Sequence, residues 1–171
     1  MGRTAIMLDR VNSAVGHVIC WAALAMVLLQ FGIVLARYVF GFSSIAAGET
    51  VLYLHATLFM LGAGYALLVD GHVRVDIFYA AATPRGRAGV DIAGHLLLLM
   101  PSTLALLIWS WPSVRNSWAI LEGAISVGGI PASFLLKSLT PAFCILLLIQ
   151  STACLLRAVL VWRNPTIGGT T

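Results

Sequence analysis

Few side chains in this sequence could do chemistry, and most of them stand at the edges of long apolar runs. Arg37 closes one run and Glu49 opens the next. An ionisable group at membrane depth is costly and normally faces protein or a cavity. Two readings are open for this couple. It is an ion pair or a contact to a partner subunit, or else two residues reaching separately for the interface. Lys137 follows Pro131 by roughly two helical turns. Interfacial snorkelling, an inter-subunit contact and an interaction with Glu122 are all open to it. The run Asp70-Gly71-His72-Val73-Arg74-Val75-Asp76-Ile77 puts Asp70 and Arg74 at i and i+4 in the favourable order. Val73 and Ile77 repeat that spacing and could form the apolar stripe of a short surface helix, the alternative being a solvated loop. His72 has no second ligand at useful spacing and reads as a hydrogen-bonding residue. His17 and His95 could in principle ligate a b-type haem. No Ser/His/Asp set, no paired carboxylates and no Gly-rich phosphate loop is present. No catalytic, cofactor-binding or metal residue is therefore expected.

The elements that carry these residues follow from composition. Of 171 residues, 60% are hydrophobic and 9% charged. A soluble domain carries roughly 25% charged residues to keep its surface hydrated. Here the solvent must be largely lipid. The net charge of +4 does not suggest nucleic acid. The basic residues are scattered singly, without the stripe or aromatic interleaving such binding needs. Cys20, Cys144 and Cys154 all lie within apolar runs and read as small buried hydrophobes.

Four stretches lack any Asp, Glu, Lys or Arg: Val11–Ala36, Thr50–Val69, Ile92–Val114 and Ser138–Leu156. About 20 apolar residues of helix cross a hydrocarbon core about 30 Å thick. The runs are continuous, not alternating, which favours helices over barrel strands. The first is too long for a signal-peptide core and no small-residue cleavage site follows, so it is expected to stay as a span. The fold class is thus all-α, an integral membrane protein of four transmembrane helices. The expected spans are approximately 12–36, 48–69, 90–112 and 131–162, in one domain over 1–163, with a flexible tail over 164–171. The third helix is expected to begin near Gly89, and Pro131 to sit in the first turn of the fourth.

Seven of the ten basic residues lie at the N-terminus, in the middle connection and at the C-terminus. The positive-inside rule then puts both termini in the cytoplasm. Tyr38, Phe40, Phe42, Trp109, Trp111, Trp118 and Trp162 fall where interfacial aromatics are expected. Gly62 and Ala66 make a small-xxx-small pair, which lets helices approach closely.

The sequence resembles the small membrane subunit of tripartite ATP-independent periplasmic (TRAP) transporters. Three pieces carry the resemblance. They are Arg37-Tyr38-Val39-Phe40-Gly41; Leu61-Gly62-Ala63-Gly64-Tyr65-Ala66-Leu67 followed by His72-Val73-Arg74-Val75-Asp76; and Gly129-Ile130-Pro131 with Lys137, Pro141 and Gln150. One piece departs. Where the family often has a Trp and paired acids at the start of span two, this chain reads Ile45-Ala46-Ala47-Gly48-Glu49-Thr50. The resemblance implies a subunit of the bacterial inner membrane, surrounded by lipid. It would brace a large polytopic subunit that carries the substrate and ion sites, while a periplasmic binding protein delivers an organic acid, often a carboxylate or dicarboxylate. Arg37, Glu49, His72, Arg74, Asp76 and Lys137 become candidates for subunit interface or structural support. The alternative function is a haem-bearing membrane anchor of a respiratory enzyme, resting on His17 and His95. A small multidrug-type exporter using Glu49 as a proton site is a third, disfavoured because Glu49 lies near a span end.

Overall fold

The computed structural model describes residues 2–71, 79 and 82–164. They form four long rods. The first is α1, Gly2–Phe40. The second is α2, Ile45–Leu68. The third is continuous but changes pitch, running as α3 over Pro84–Ala93, a π-helical segment over Gly94–Leu99, and α4 over Met100–Ala119. The last is α5, Ser133–Arg163. All four rods are long and apolar enough to cross a membrane.

Local chemistry sets the ends. Gly41, at φ +66°, takes the left-handed conformation that closes α1. Ser44 then caps α2, its Oγ accepting the Ala47 N–H at 3.3 Å. Asp70 adopts φ +56° at the end of α2, and the Gly71 N–H returns to the Ala66 carbonyl at 2.8 Å. This is the six-to-one bond of a Schellman ending. Thr83 caps α3, with Pro84 at its first position. The third rod thus starts ahead of the expected Gly89, because the Thr-Pro signal outranks the charges of Arg85 and Arg87. The fourth rod begins at Ser133, so Pro131 lies just before the helix and not in its first turn.

The π-helical segment has an identifiable origin. Pro101 has no N–H for the carbonyl four residues back, and its ring crowds that turn. A wider turn absorbs the defect, and the Met100 N–H reaches the His95 carbonyl, five residues back.

The rods do not form a square bundle. α5 packs against α1, α2, α3, the π segment and α4, whereas α1 and α2 pack chiefly on each other and on α5. Accordingly 28% of the most apolar stretch of α5 is buried, against 6% in each other rod. The pair α1–α2 lies on one side of α5 and the α3–α4 rod on the other. Polarity is arranged from inside to outside. The largest fully buried side chains are Gln150, Asn12, Cys144, Ser117 and Ser151, while Trp21, Phe31, Leu98 and Trp109 are exposed. Water would reject such a surface, and lipid accepts it.

Candidate functional site

Two polar clusters hold the rods together, one at each end. At the end bearing the chain termini, Asp9 and Asn12 occupy one face of α1 and Gln150 and Arg157 one face of α5. Arg157 donates from both terminal nitrogens to the Asp9 carboxylate, at 2.8 and 3.0 Å. Gln150 Nε2 donates to Asp9 Oδ1 at 3.0 Å, and Gln150 Oε1 accepts from Asn12 Nδ2 at 3.0 Å. Asn12 Nδ2 also lies 3.4 Å from the Leu146 carbonyl. Asn12 and Gln150 are 0% exposed. Gly64 of α2 makes room for this cluster, since a methyl group there would overlap Asn12 Oδ1 and crowd Leu146. On the other flank of α5, His95 Nδ1 lies 3.1 Å from the Ser151 hydroxyl, fastening the π segment.

At the opposite end the connection from Ile120 to Ala132 folds over α2. Glu49 is 7% exposed, and its carboxylate accepts the Ser126 N–H at 3.1 Å and the Ile130 N–H at 2.6 Å. A side chain at position 129 would overlap both carboxylate oxygens, so Gly129 is required by close approach. The same connection is tied to α4 and α5. Glu122 accepts from Ser117 Oγ and from Lys137 Nζ, each at 2.5 Å. Trp118 Nε1 donates to Ser138 Oγ at 2.7 Å, and its ring meets Phe134 edge to face with centroids 4.8 Å apart. Ser133 Oγ donates to the Gly123 carbonyl. The Lys137 ammonium and the Ser117 hydroxyl hold the Glu122 carboxyl below its ordinary range.

These positions correct one expectation and decide another. Arg37 and Glu49 are not partnered with each other. Arg37 Nη2 donates to Ser43 Oγ at 3.2 Å, while the Glu49 carboxylate turns inward to backbone donors of the long connection. Two N–H groups fixed by a loop satisfy a carboxylate without requiring a mobile guanidinium. Lys137 takes the Glu122 option among those open to it. His72, Arg74 and Asp76 lie outside the described residues, as does the tail from Pro165 onward. His17 Nδ1 lies 2.7 Å from the Ser13 carbonyl of its own helix, and its ring meets Tyr65 edge to face. Among the described residues no group of three or more His, Cys, Asp or Glu is placed to hold a metal ion. Sequence reasoning missed Asp9 and Asn12. The signal was there in principle: polar residues three apart at the head of the first apolar run, matched by Gln150 and Arg157 seven apart near the end of the last.

A helical protein with an apolar exterior, polar clusters turned inward and four helices long and apolar enough to cross a membrane is a multi-pass membrane protein. Residues 26–161 match the family described as tripartite ATP-independent periplasmic transporters, DctQ component. The chain belongs to that family, the small subunit of TRAP transporters, which is a family of transporter components. No curated protein matches the sequence. Nothing in the comparison supports the haem-anchor alternative.

Proposed function

We propose that this chain braces the large polytopic subunit of its transporter during ion-coupled uptake of an organic acid delivered by a periplasmic binding protein. In this reading it sits in the bacterial inner membrane with both termini in the cytoplasm. The observation that carries the proposal is that the charged side chains of its two polar clusters are held by fixed partners within the chain, while the buried Asn12 Oδ1 and Tyr53 hydroxyl have no partner among the described residues. Asp9, Arg157, Gln150 and Asn12 bind one another, and Glu49 is held by loop amides. A transport pathway needs groups that exchange partners with an ion or solute. These are arranged to stay fixed, as suits a stator. Membership of a family whose name specifies three parts supports the two partners. The basic residues gathered at the termini and middle connection support the orientation. His72, Arg74 and Asp76 would form a cytoplasmic element at the membrane surface, with Val73 and Ile77 as its apolar stripe.

Gentle affinity purification tests the brace, with co-purification of a much larger polytopic chain as the expected result. Transport by this chain alone in liposomes would overturn it. Single cysteines from 72 to 77, probed with an impermeant reagent, test the orientation. Labelling from the periplasm would reverse it.

A further inference from the structure

The bilayer-facing surface carries two polar side chains where lipid offers them nothing. Gln30 stands ten residues before the end of α1, and His55 ten residues after the start of α2. Counted from the expected span ends at 36 and 48, they lie six and seven residues inside, about 9–11 Å into the hydrocarbon core at about 1.5 Å per residue and at matching depth. Neither side chain is long enough to reach an interface from there. Both are exposed.

Several Ser and Thr hydroxyls in the spans satisfy themselves, whereas the buried Tyr53 hydroxyl has no partner among the described residues. Thr57, Ser102, Thr103 and Thr152 each donate to the carbonyl four residues back. The Gln30 amide and the His55 ring have no hydrogen bond among the described residues, and His55 only stacks on Phe59 with centroids 6.5 Å apart. An unsatisfied polar group in hydrocarbon costs several kcal/mol.

These two residues flank one feature. A groove of about 480 Å³ runs between α1 and α2, lined by Met26, Val27, Gln30, Phe31, Val34 and Val51. His55 stands one turn from Val51 on α2. On the same side Gly48 is exposed, and a methyl group added there would meet nothing within 4 Å. A small residue at a groove edge permits close helix approach. The exposed face of α4 differs. It offers Leu104, Ile108, Trp109 and Trp111, and its Ser102 and Ser110 hydroxyls are bonded within the rod. Lipid is enough for that face and not for the other.

We infer that the α1–α2 groove receives a transmembrane helix of the large subunit, one that presents a hydrogen-bonding side chain within the hydrocarbon core to Gln30 and His55. This rests on the brace reading and adds which face is used. A polar group at this depth fits a partner helix with a complementary donor or acceptor, which neither an acyl chain nor a headgroup supplies.

Photo-crosslinking residues placed at Phe31 and Leu52, and separately at Leu97 and Trp109, test it in membranes holding the assembled transporter. Adducts to the large subunit from Phe31 and Leu52 are expected. Adducts joining two copies of this chain, or lipid adducts alone, at those two positions would overturn the inference. Large-subunit adducts from Leu97 or Trp109 instead would overturn it and leave the brace reading standing. Their absence from all four positions would remove both. In parallel, Gln30→Leu and His55→Leu should each lower recovery of the large subunit roughly three- to tenfold, the range of one interhelical hydrogen bond in lipid. Neither should lower the Tm of the isolated chain. His55→Gln should restore part of the loss, and unchanged recovery in both Leu variants would refute the polar contact.

Discussion

Asp9 and Arg157, 148 positions apart in sequence, form a two-pronged ion pair that ties the first helix to the last. Gln150 shares the same carboxylate and passes the linkage on to Asn12. Pairwise loss here should therefore be cooperative. Arg157→Ala should destabilise the protein by about 1–3 kcal/mol, below the value for complete burial because the arginine is partly exposed. Asp9→Ala should cost a similar amount, and the double variant less than the sum. Gln150→Leu should cost about 2 kcal/mol, since it strands the Asn12 amide in a dry site. Thermal unfolding in detergent or nanodiscs reads all four.

The glycines separate into two groups by what surrounds them. Gly129→Ala and Gly64→Ala push a methyl group into Glu49 and Asn12 respectively, and each should cost about 1–3 kcal/mol. Gly32→Ala and Gly48→Ala meet nothing within 4 Å and lie in helices. Each should be neutral or stabilising by up to about 1 kcal/mol in the isolated chain. Melting the four variants side by side checks the ordering, and equal losses would show that close approach is not the cause.

Arg37 and Glu49 offer the opposite expectation to a bonded pair. Because their partners are Ser43 and the loop amides of Ser126 and Ile130, their alanine variants should be additive within about 0.5 kcal/mol. Glu49→Ala should be the costly one, leaving two amides without an acceptor. A coupling energy above about 1 kcal/mol in that cycle would restore a direct pair.

The Glu122–Lys137 bridge should give stability a pH dependence of defined sign. The carboxyl pKa is lowered in the folded state, chiefly by Lys137. Its contribution is complete above the ordinary carboxylate range, near about 4.3. It fades as pH falls through the lower folded-state value. Melting curves between about pH 3 and 7 should show this acid decline, and Lys137→Met should shrink it.

Helices could be read from the chain because each span is a long run without charge, and lipid leaves such a run little choice. Lys137 with Glu122 was within reach too, being near in sequence on two sides of one connection. Arg37 with Glu49 misled for a physical reason. Proximity of two helix ends does not say which acceptor a carboxylate prefers, and the winning donors, Ser126 and Ile130, are backbone groups that any residue could supply. Asn12 with Gln150 was hidden differently. Each lies beside small hydroxyl residues that draw no attention, Asn12 by Ser13 and Gln150 by Ser151 and Thr152, and only the packing of α1 on α5 brings them face to face.

The helix on which every other described element packs is also synthesised after them. Until α5 inserts, Asp9 and Asn12 have no Gln150 or Arg157 to meet, and α3 has no surface to lean on. A nascent chain halted before residue 133 would therefore hold polar groups in lipid with their partners unmade. The contacts that hold Asp9 and Asn12 and seat α3 against the bundle are thus made only once α5 is present.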